Sequence, residues 1–419
     1  MVRRVTTLVL LGVCLLAGAD WPRFRGPSGD GTASDKGVPQ KWGPKENLLW
    51  KTALPGAGSS SPATWGNKIF LTSYSGYGVS EDDPGDPANL ELHLLALDRA
   101  DGKIAWDQAI KAGPPVGEYR GFLTMHGFAS ATPATDGQAV YVFFGRMGVY
   151  AYSPEGRQLW HAEVGSNLDP WGSASSPVLA GNLVIVNASV ESGSLVALDK
   201  ASGKEVWRAG GMVKSWSTPA LVDLPGGSQE LVVSVKGKVI GFDPVNGTEL
   251  WHCAGVDDYV CASVIAHDGI VYVTGGRKPV TLAIRAGGRG DVTASHLVWR
   301  VNKSSKVGTP LWHDGCLYWI AFNGTAQCLK ADTGETAYEE KLEIAGRGDK
   351  IYASLVLADG KLFGVTRQDG TVVLAAGPKF DELERNRLND KSIFNATPAA
   401  SDGQLLLRSD RFLYLIGNK

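Results

Sequence analysis

Cysteine is scarce in this chain, with five copies among 419 residues. A chain this long with so few thiols is not a disulfide scaffold. Neither a CxxC pair, an HExxH helix nor an EF-hand loop is present, so no metal signature can be read. Charge is sparse too, at 20% Asp, Glu, Lys and Arg with a net charge of −2. No basic block stands ready to neutralise phosphates, which argues against a nucleic-acid partner. The longest early apolar run, Val5 to Leu16, is shorter than the ~20 residues a membrane-spanning helix needs, and no later segment is longer. Glycine has no three-residue period, which excludes collagen, and 43% hydrophobic residues exclude global disorder.

The N-terminus has the plan of an export leader. Arg3 and Arg4 precede the apolar run, and Ala17-Gly18-Ala19 is a small-x-small cleavage site. The expectation is a signal peptide over 1–19, with Asp20 the first mature residue and the protein periplasmic or extracellular. Cys14 follows Val13, where a lipoprotein signal wants a small residue, so a lipid anchor is not expected. Of the remaining thiols, Cys253 and Cys261 are candidates for a disulfide. For Cys316 and Cys328, a two-residue turn at Asn323-Gly324 would face Cys328 with Trp319 and point Cys316 to the other side of the sheet.

What is abundant is turn-forming residues and tryptophan. Glycine is 53 of 419 residues, about twice the usual share, and Trp occurs 13 times. Turn residues spread through an apolar chain predict many short strands. Length alone suggests two or three domains, but internal repeats replace that count. A Ser/Thr-x-Pro start recurs at Ser60-Ser61-Pro62, Ala131-Thr132-Pro133, Ser175-Ser176-Pro177, Ser217-Thr218-Pro219, Gly308-Thr309-Pro310 and Ala396-Thr397-Pro398. Degenerate copies lie at Ala262-Ser263-Val264 and Ala353-Ser354-Leu355. From the second of these eight starts onward the spacing is 42 to 46 residues; the first unit is about 27 residues longer.

Each unit ends on a common plan. Asp98, Gly102 and Trp106 return as Asp199, Gly203 and Trp207, and as Asp243, Gly247 and Trp251. Weaker versions carry Gly156 with Trp160, and Asp332 with Gly334 and Tyr338. Asp caps a turn, Gly supplies a positive φ, and a strand resumes toward the Trp. A four-stranded sheet cannot bury both faces alone, so such units must stack, with the Trp residues packing between sheets. The fold expected is all-β: an eight-bladed β-propeller of four-stranded antiparallel blades. The last unit is one strand short, and Asn47 to Lys51 looks like the orphan strand that completes it. The organisation expected is a leader over 1–19, an N-terminal extension over 20–46 and one propeller over 47–419.

These endings resemble the tryptophan-docking motif of PQQ-like, quinoprotein-type β-propellers, from about Trp50 to Gly417. The segment Trp21-Pro22-Arg23-Phe24-Arg25-Gly26-Pro27-Ser28-Gly29-Asp30-Gly31 is similar to the opening of secreted bacterial propellers of this kind. The resemblance implies one of two functions. One branch comprises alcohol and sugar dehydrogenases that use PQQ and calcium. The other comprises non-catalytic propellers, such as the lipoprotein subunit of the outer-membrane β-barrel assembly machine. The dehydrogenases commonly carry adjacent cysteines against the quinone and a carboxylate–amide calcium set; here no two Cys are adjacent and no motif matches that set. No haem CxxCH is present either.

Loops entering each innermost strand should converge at one end of the channel. They carry Arg120, His126, Trp171, Trp216, Tyr259, Lys306, Tyr352 and Asn395, which are the candidate ligand-binding residues. Such a set can stack a small planar ligand and bond its polar edge. The plainer readings are that Trp171 and Trp216 plug the channel, that His126 is a hydrogen-bonded structural residue, and that Lys214 and Lys306 are solvated. Asp257 and Asp258 read as turn caps or a calcium loop, and His252, His267 and His313 receive no role. The stretch Ser73 to Leu92 reads as a polar excursion, and Lys379 to Asn389 as a short charged helix or the approach to a poorly marked strand. The function expected is a non-catalytic scaffold binding a ligand or an unidentified protein partner. Alternatives are a PQQ/calcium oxidoreductase and a scaffold in an outer-membrane complex. No catalytic or metal-ligating residue is assigned.

Overall fold

In all eight repeats a strand begins at the residue after the Pro or its substitute. Proline has no N–H to offer a ladder, so it stands where pairing starts and not inside it. These strands are Ala63–Trp65, Ala134–Thr135, Val178–Ala180, Ala220–Asp223, Ile265–His267, Leu311–His313, Val356–Ala358 and Ala399–Ser401. Each is the first strand of a separate antiparallel sheet, whose strands follow in chain order. The computed structural model describes residues 20–346 and 348–418, so the segment expected to be an export leader lies outside the described residues. Blades 1 to 7 span 63–111, 134–162, 178–210, 220–254, 265–301, 311–341 and 356–386. Blade 8 spans 399–416 and takes its fourth strand from Leu48–Ala53, with Trp50 opposite Leu415 and Thr52 opposite Leu413. The expected eight-bladed ring, closed by an N-terminal strand, is the observed architecture.

The core is a ring of layers between sheets. One apolar cluster joins blades 2 and 3, the next joins blades 3 and 4, and so on to a cluster shared by blades 7, 8 and 1. Middle strands are therefore buried on both faces, as in Leu183–Ala188, whereas the outer strand Ile104–Lys111 alternates exposed and half-buried residues. Burial on two faces demands near-continuous apolar runs, which is why the middle strands are rich in Val, Leu and Ile.

The recurrent Gly and Trp meet across blade boundaries. The Trp160 indole of blade 2 lies on Gly203 of blade 3, where a Cβ would come within 2.6 Å of the ring and φ is +70°. Its Nε1 donates to Lys200 O at 2.8 Å. The same contact joins Trp50 to Gly102, Trp106 to Gly156, Trp207 to Gly247, and Trp299 to Gly334. Asp199 and Asp243 cap the turns by accepting backbone N–H bonds from Ser202 and Val245. Trp251 departs from this plan. It is fully buried, lies over Gly241 of its own blade, and donates to Glu230 Oε2 at 2.7 Å. Blade 5 offers no equivalent turn, because an excursion through Gly290–Asp291 pairs back onto Trp251 and His252.

Three expectations change. Lys379 to Asn389 is not a helix: Glu382–Asn386 is the fourth strand of blade 7, paired with Thr371–Ala375. Its charges hid a strand because Arg385 and Arg387 bond the buried carboxylate of Asp369. The first insertion is shorter than Ser73 to Leu92. Strands run through Ser75 and from Glu91, leaving only 76–90 as a loop. Cys316 and Cys328 share a face instead of opposing one. The turn between their strands is four residues long, so Cys328 lies opposite Tyr318 and both thiols enter one apolar cluster. All four described cysteines are free thiols, including Cys253 and Cys261.

Candidate functional site

The residue immediately before each inner strand's Pro, or the Val264 or Leu355 in its place, carries a hydroxyl, and the eight line one axial chamber. They are Ser61, Thr132, Ser176, Thr218, Ser263, Thr309, Ser354 and Thr397. Seven successive boundaries repeat one bond: the backbone N–H of one blade donates to the next blade's hydroxyl at 2.8–3.0 Å. The belt thus stitches blades 1 to 8 at their inner ends. The remaining boundary, blade 8 to blade 1, is held differently. The buried Arg408 guanidinium donates to Ser60 O at 2.9 Å and to Ser60 Oγ at 2.7 Å. Arg99 reaches back to Ser401 and Gln404.

One end of the chamber is closed by the N-terminal extension. Trp21 exchanges hydrogen bonds with Thr64, and Pro22 O accepts from Thr135 N. The Arg25 side chain, 1% exposed, donates to the carbonyls of Asp30 and Pro310 at 2.5 and 2.7 Å, and to those of Thr309 and Leu355 at 3.4 Å. Desolvation lowers its pKa to about 10, so it remains charged at neutral pH. Gly31 and Ala33 then pair with Leu357. The segment crosses from blades 1 and 2 to blades 6 and 7, and Phe24 faces the chamber as its floor.

The opposite end is aromatic. Trp171 packs against Trp216 with centroids 4.9 Å apart and planes tilted by 33°, and meets Phe122 and Tyr259 edge-on at 4.8 Å. Trp216 Nε1 donates to Gly172 O at 2.8 Å. The short helix Leu123–His126 sits beside them. His126 is buried; its Nε2 lies 2.8 Å from Trp171 O and its Nδ1 2.7 Å from Ser130 Oγ. A carbonyl can only accept, so Nε2 carries the proton and Nδ1 accepts from the serine. Burial pushes this imidazole down to about 4, so it is neutral at neutral pH and has no imidazolium proton to give as a general acid. Asn395 bridges the roof, accepting from Arg367 Nε at 2.9 Å and donating to Met125 O. Burial drives the Cys261 thiol up to about 12, leaving it protonated and unreactive.

Six of the eight residues expected at the channel mouth therefore converge: His126, Trp171, Trp216, Tyr259, Tyr352 and Asn395. Arg120 does not; it is exposed and pairs with Glu118 at 3.1 Å. Lys306 does not either. It adopts φ +70° in the turn and leaves Val307 on the wall. Lys214 is held by Asp169 at 2.8 Å, outside the lining. Sequence reasoning missed Phe24, Phe122 and the hydroxyl belt. The belt had a signal, because the middle residue of every Ser/Thr-x-Pro start is itself Ser or Thr. It also missed Glu191, a 2% exposed carboxyl in an adjoining apolar crevice, which burial pushes up to about 7.

The lining decides what the chamber can hold. Among the described residues, no Lys, Arg, Asp or Glu faces it. PQQ is a polycarboxylate held with calcium, and burying such charges without counter-charges is costly. Among the described residues, no group of three or more His, Cys, Asp or Glu is placed to hold a metal ion. The donor set does not fit PQQ with calcium.

Comparison with known proteins places this architecture. A family model described as outer membrane protein assembly factor BamB matches residues 41–186 and 147–376. The assembly factor BamB of Burkholderia pseudomallei is 25% identical over 298 residues, covering 58% of this chain and 72% of that protein. The crystal structure of BamB from Moraxella catarrhalis superposes with a TM-score of 0.63 at 15% identity, over 89% of this chain and 97% of that one. Quinohemoprotein alcohol dehydrogenase from Comamonas testosteroni superposes with a TM-score of 0.64 at 10% identity, over 96% and 81%. At these identities the structural likenesses speak to fold alone.

Proposed function

The chain belongs to the PQQ-like β-propeller family whose model bears the description outer membrane protein assembly factor BamB, and on that premise we propose that it is an exported, non-catalytic scaffold of the assembly-factor type. The observation that carries this reading is the family match over residues 41–376, which takes in blades 1 to 6 and three strands of blade 7. The chemistry of the chamber agrees with it. His126 is neutral with both ring nitrogens bonded, Cys261 is protonated, and no charged side chain among the described residues lines the wall. A propeller of this kind acts through its rigid surface. Edges and loops held by eight stacked sheets present a fixed geometry to a partner protein at little entropic cost.

The partner expected is a protein component of an outer-membrane β-barrel assembly complex, met on the periplasmic side. No helix among the described residues is long and apolar enough to cross a membrane. The test is affinity purification from the native host after mild cross-linking, with cell fractionation alongside. Co-purification of assembly-complex subunits with an envelope fraction supports the reading. Recovery of the protein alone, or in the cytoplasm, overturns it. The dehydrogenase alternative predicts PQQ binding in the presence of calcium, which titration calorimetry reads directly; the uncharged chamber predicts none.

A further inference from the structure

We propose that the axial chamber is a binding site for a small neutral polyol, of the size and shape of a monosaccharide. The chamber encloses about 120 Å³. A water needs roughly 10–15 Å³ of such space, so the chamber takes a molecule of monosaccharide size and not a chain. Its walls have two distinct chemistries, arranged as a sandwich. The hydroxyl belt forms the equator. Floor and roof are aromatic, with Phe24 below and Trp171, Trp216, Tyr259 and Tyr352 above. Sequence position fixes that order. In blades 1, 2 and 7 the N-terminal segment bonds the residue three positions after the belt hydroxyl, whereas the roof residues all precede it.

The belt is supplied with unused hydrogen-bonding capacity. A hydroxyl has one proton and two lone pairs. Seven of these oxygens accept one neighbouring N–H, and none of the eight donates to a described residue. Most are at least nine-tenths buried. Their protons and remaining lone pairs therefore address the chamber. The Tyr259 and Tyr352 hydroxyls also bond no described residue, and burial keeps both phenols protonated. A ligand that suits these walls has donors and acceptors around its rim and apolar faces above and below. A pyranose has that form, with hydroxyls at the edge and C–H groups on its faces. A bare anion suits them less well, because aromatic faces are electronegative and no cation among the described residues lines the wall. Phe122, 37% exposed, and the half-buried Trp171 connect the chamber to the surface.

Titration calorimetry and tryptophan emission on the purified protein test this. Glucose, galactose and mannose are the neutral probes; glucuronate and sulfate are the anionic ones. The expected result is saturable one-to-one binding of a neutral hexose with a change in tryptophan emission. Tyr352→Phe, which removes only a hydroxyl without a protein partner, should weaken binding about 3- to 10-fold. Trp171→Ala should weaken it more, and Arg120→Ala should leave it unchanged. The proposal is overturned if no neutral hexose binds saturably in the millimolar range. It is equally overturned if an anion binds more tightly than every hexose, or if Tyr352→Phe binds like wild type. None of these outcomes bears on whether the protein joins an outer-membrane complex.

Discussion

Two buried titratable side chains, His126 and Glu191, should drive stability in opposite directions with pH. His126 has an ordinary value of 6.5 and is pushed down to about 4 by burial. As pH falls from 6.5 to 4, the unfolded chain takes up a proton that the native state refuses. His126 therefore contributes stability above pH 6.5 that is lost on acidification. Glu191 is the reverse case, raised from 4.5 to about 7 by burial. As pH rises from 4.5 to 7, the unfolded chain releases a proton that the native state keeps, so its contribution is lost on the alkaline side. A tenfold difference in proton affinity between native and unfolded chain is worth about 1.4 kcal/mol, so each ramp amounts to about 3 kcal/mol. Between pH 4.5 and 6.5 the ramps oppose each other and the wild type should show little net slope from this pair. The variants separate them. Wild type minus His126→Gln should fall by about 3 kcal/mol as pH drops from 7 to 4. Wild type minus Glu191→Gln should fall by a similar amount from pH 4.5 to 7. Urea unfolding followed by tryptophan emission measures both, and other titrating groups cancel in the differences. Flat difference curves, or slopes of the same sign, would refute the burial assigned to these groups.

Other predictions concern the ring. Gly203→Ala places a Cβ within 2.6 Å of the Trp160 indole at φ +70°, and should cost about 1–3 kcal/mol. Trp160→Ala should cost about 3–5 kcal/mol, and the double variant should cost less than the sum because the clash is gone; strict additivity in denaturant unfolding would contradict the contact. Arg25→Met removes donors to carbonyls of blades 6 and 7. It should destabilise the ring by about 2–4 kcal/mol and expose residues 20–33 to limited proteolysis. An unchanged digestion pattern would show that the segment is held without that side chain.

The ring was legible because its punctuation is local. Pro marks where six of the eight inner strands start, and Gly followed by Trp marks where the outer strands of blades 1 to 4 turn and end. The closing strand was legible because Leu48 to Trp50 has a blade ending with no blade before it. What stayed hidden depends on contacts distant in sequence or on turn geometry. The floor could not be read, since Arg25 bonds residues about 285 and 330 positions away. Turn length set the register that brought Cys316 and Cys328 to one face, and composition supplies no turn length. Arg120 and Lys306 failed as chamber residues because a loop's position near the axis does not fix which way its side chains leave. The blade 7 strand was masked by arginines whose charge is met by Asp369.

Site-specific photo-cross-linking in living cells tests the proposed binding of this propeller to a partner in an outer-membrane assembly complex. Probes belong at exposed apolar positions, such as Leu168 and Val213 near the roof and Val245 on the outer rim. The predicted result is an adduct from at least one position to a subunit of the outer-membrane β-barrel assembly complex, recovered in the envelope fraction. The absence of such adducts from every position, in cells where the protein is exported and folded, would contradict it.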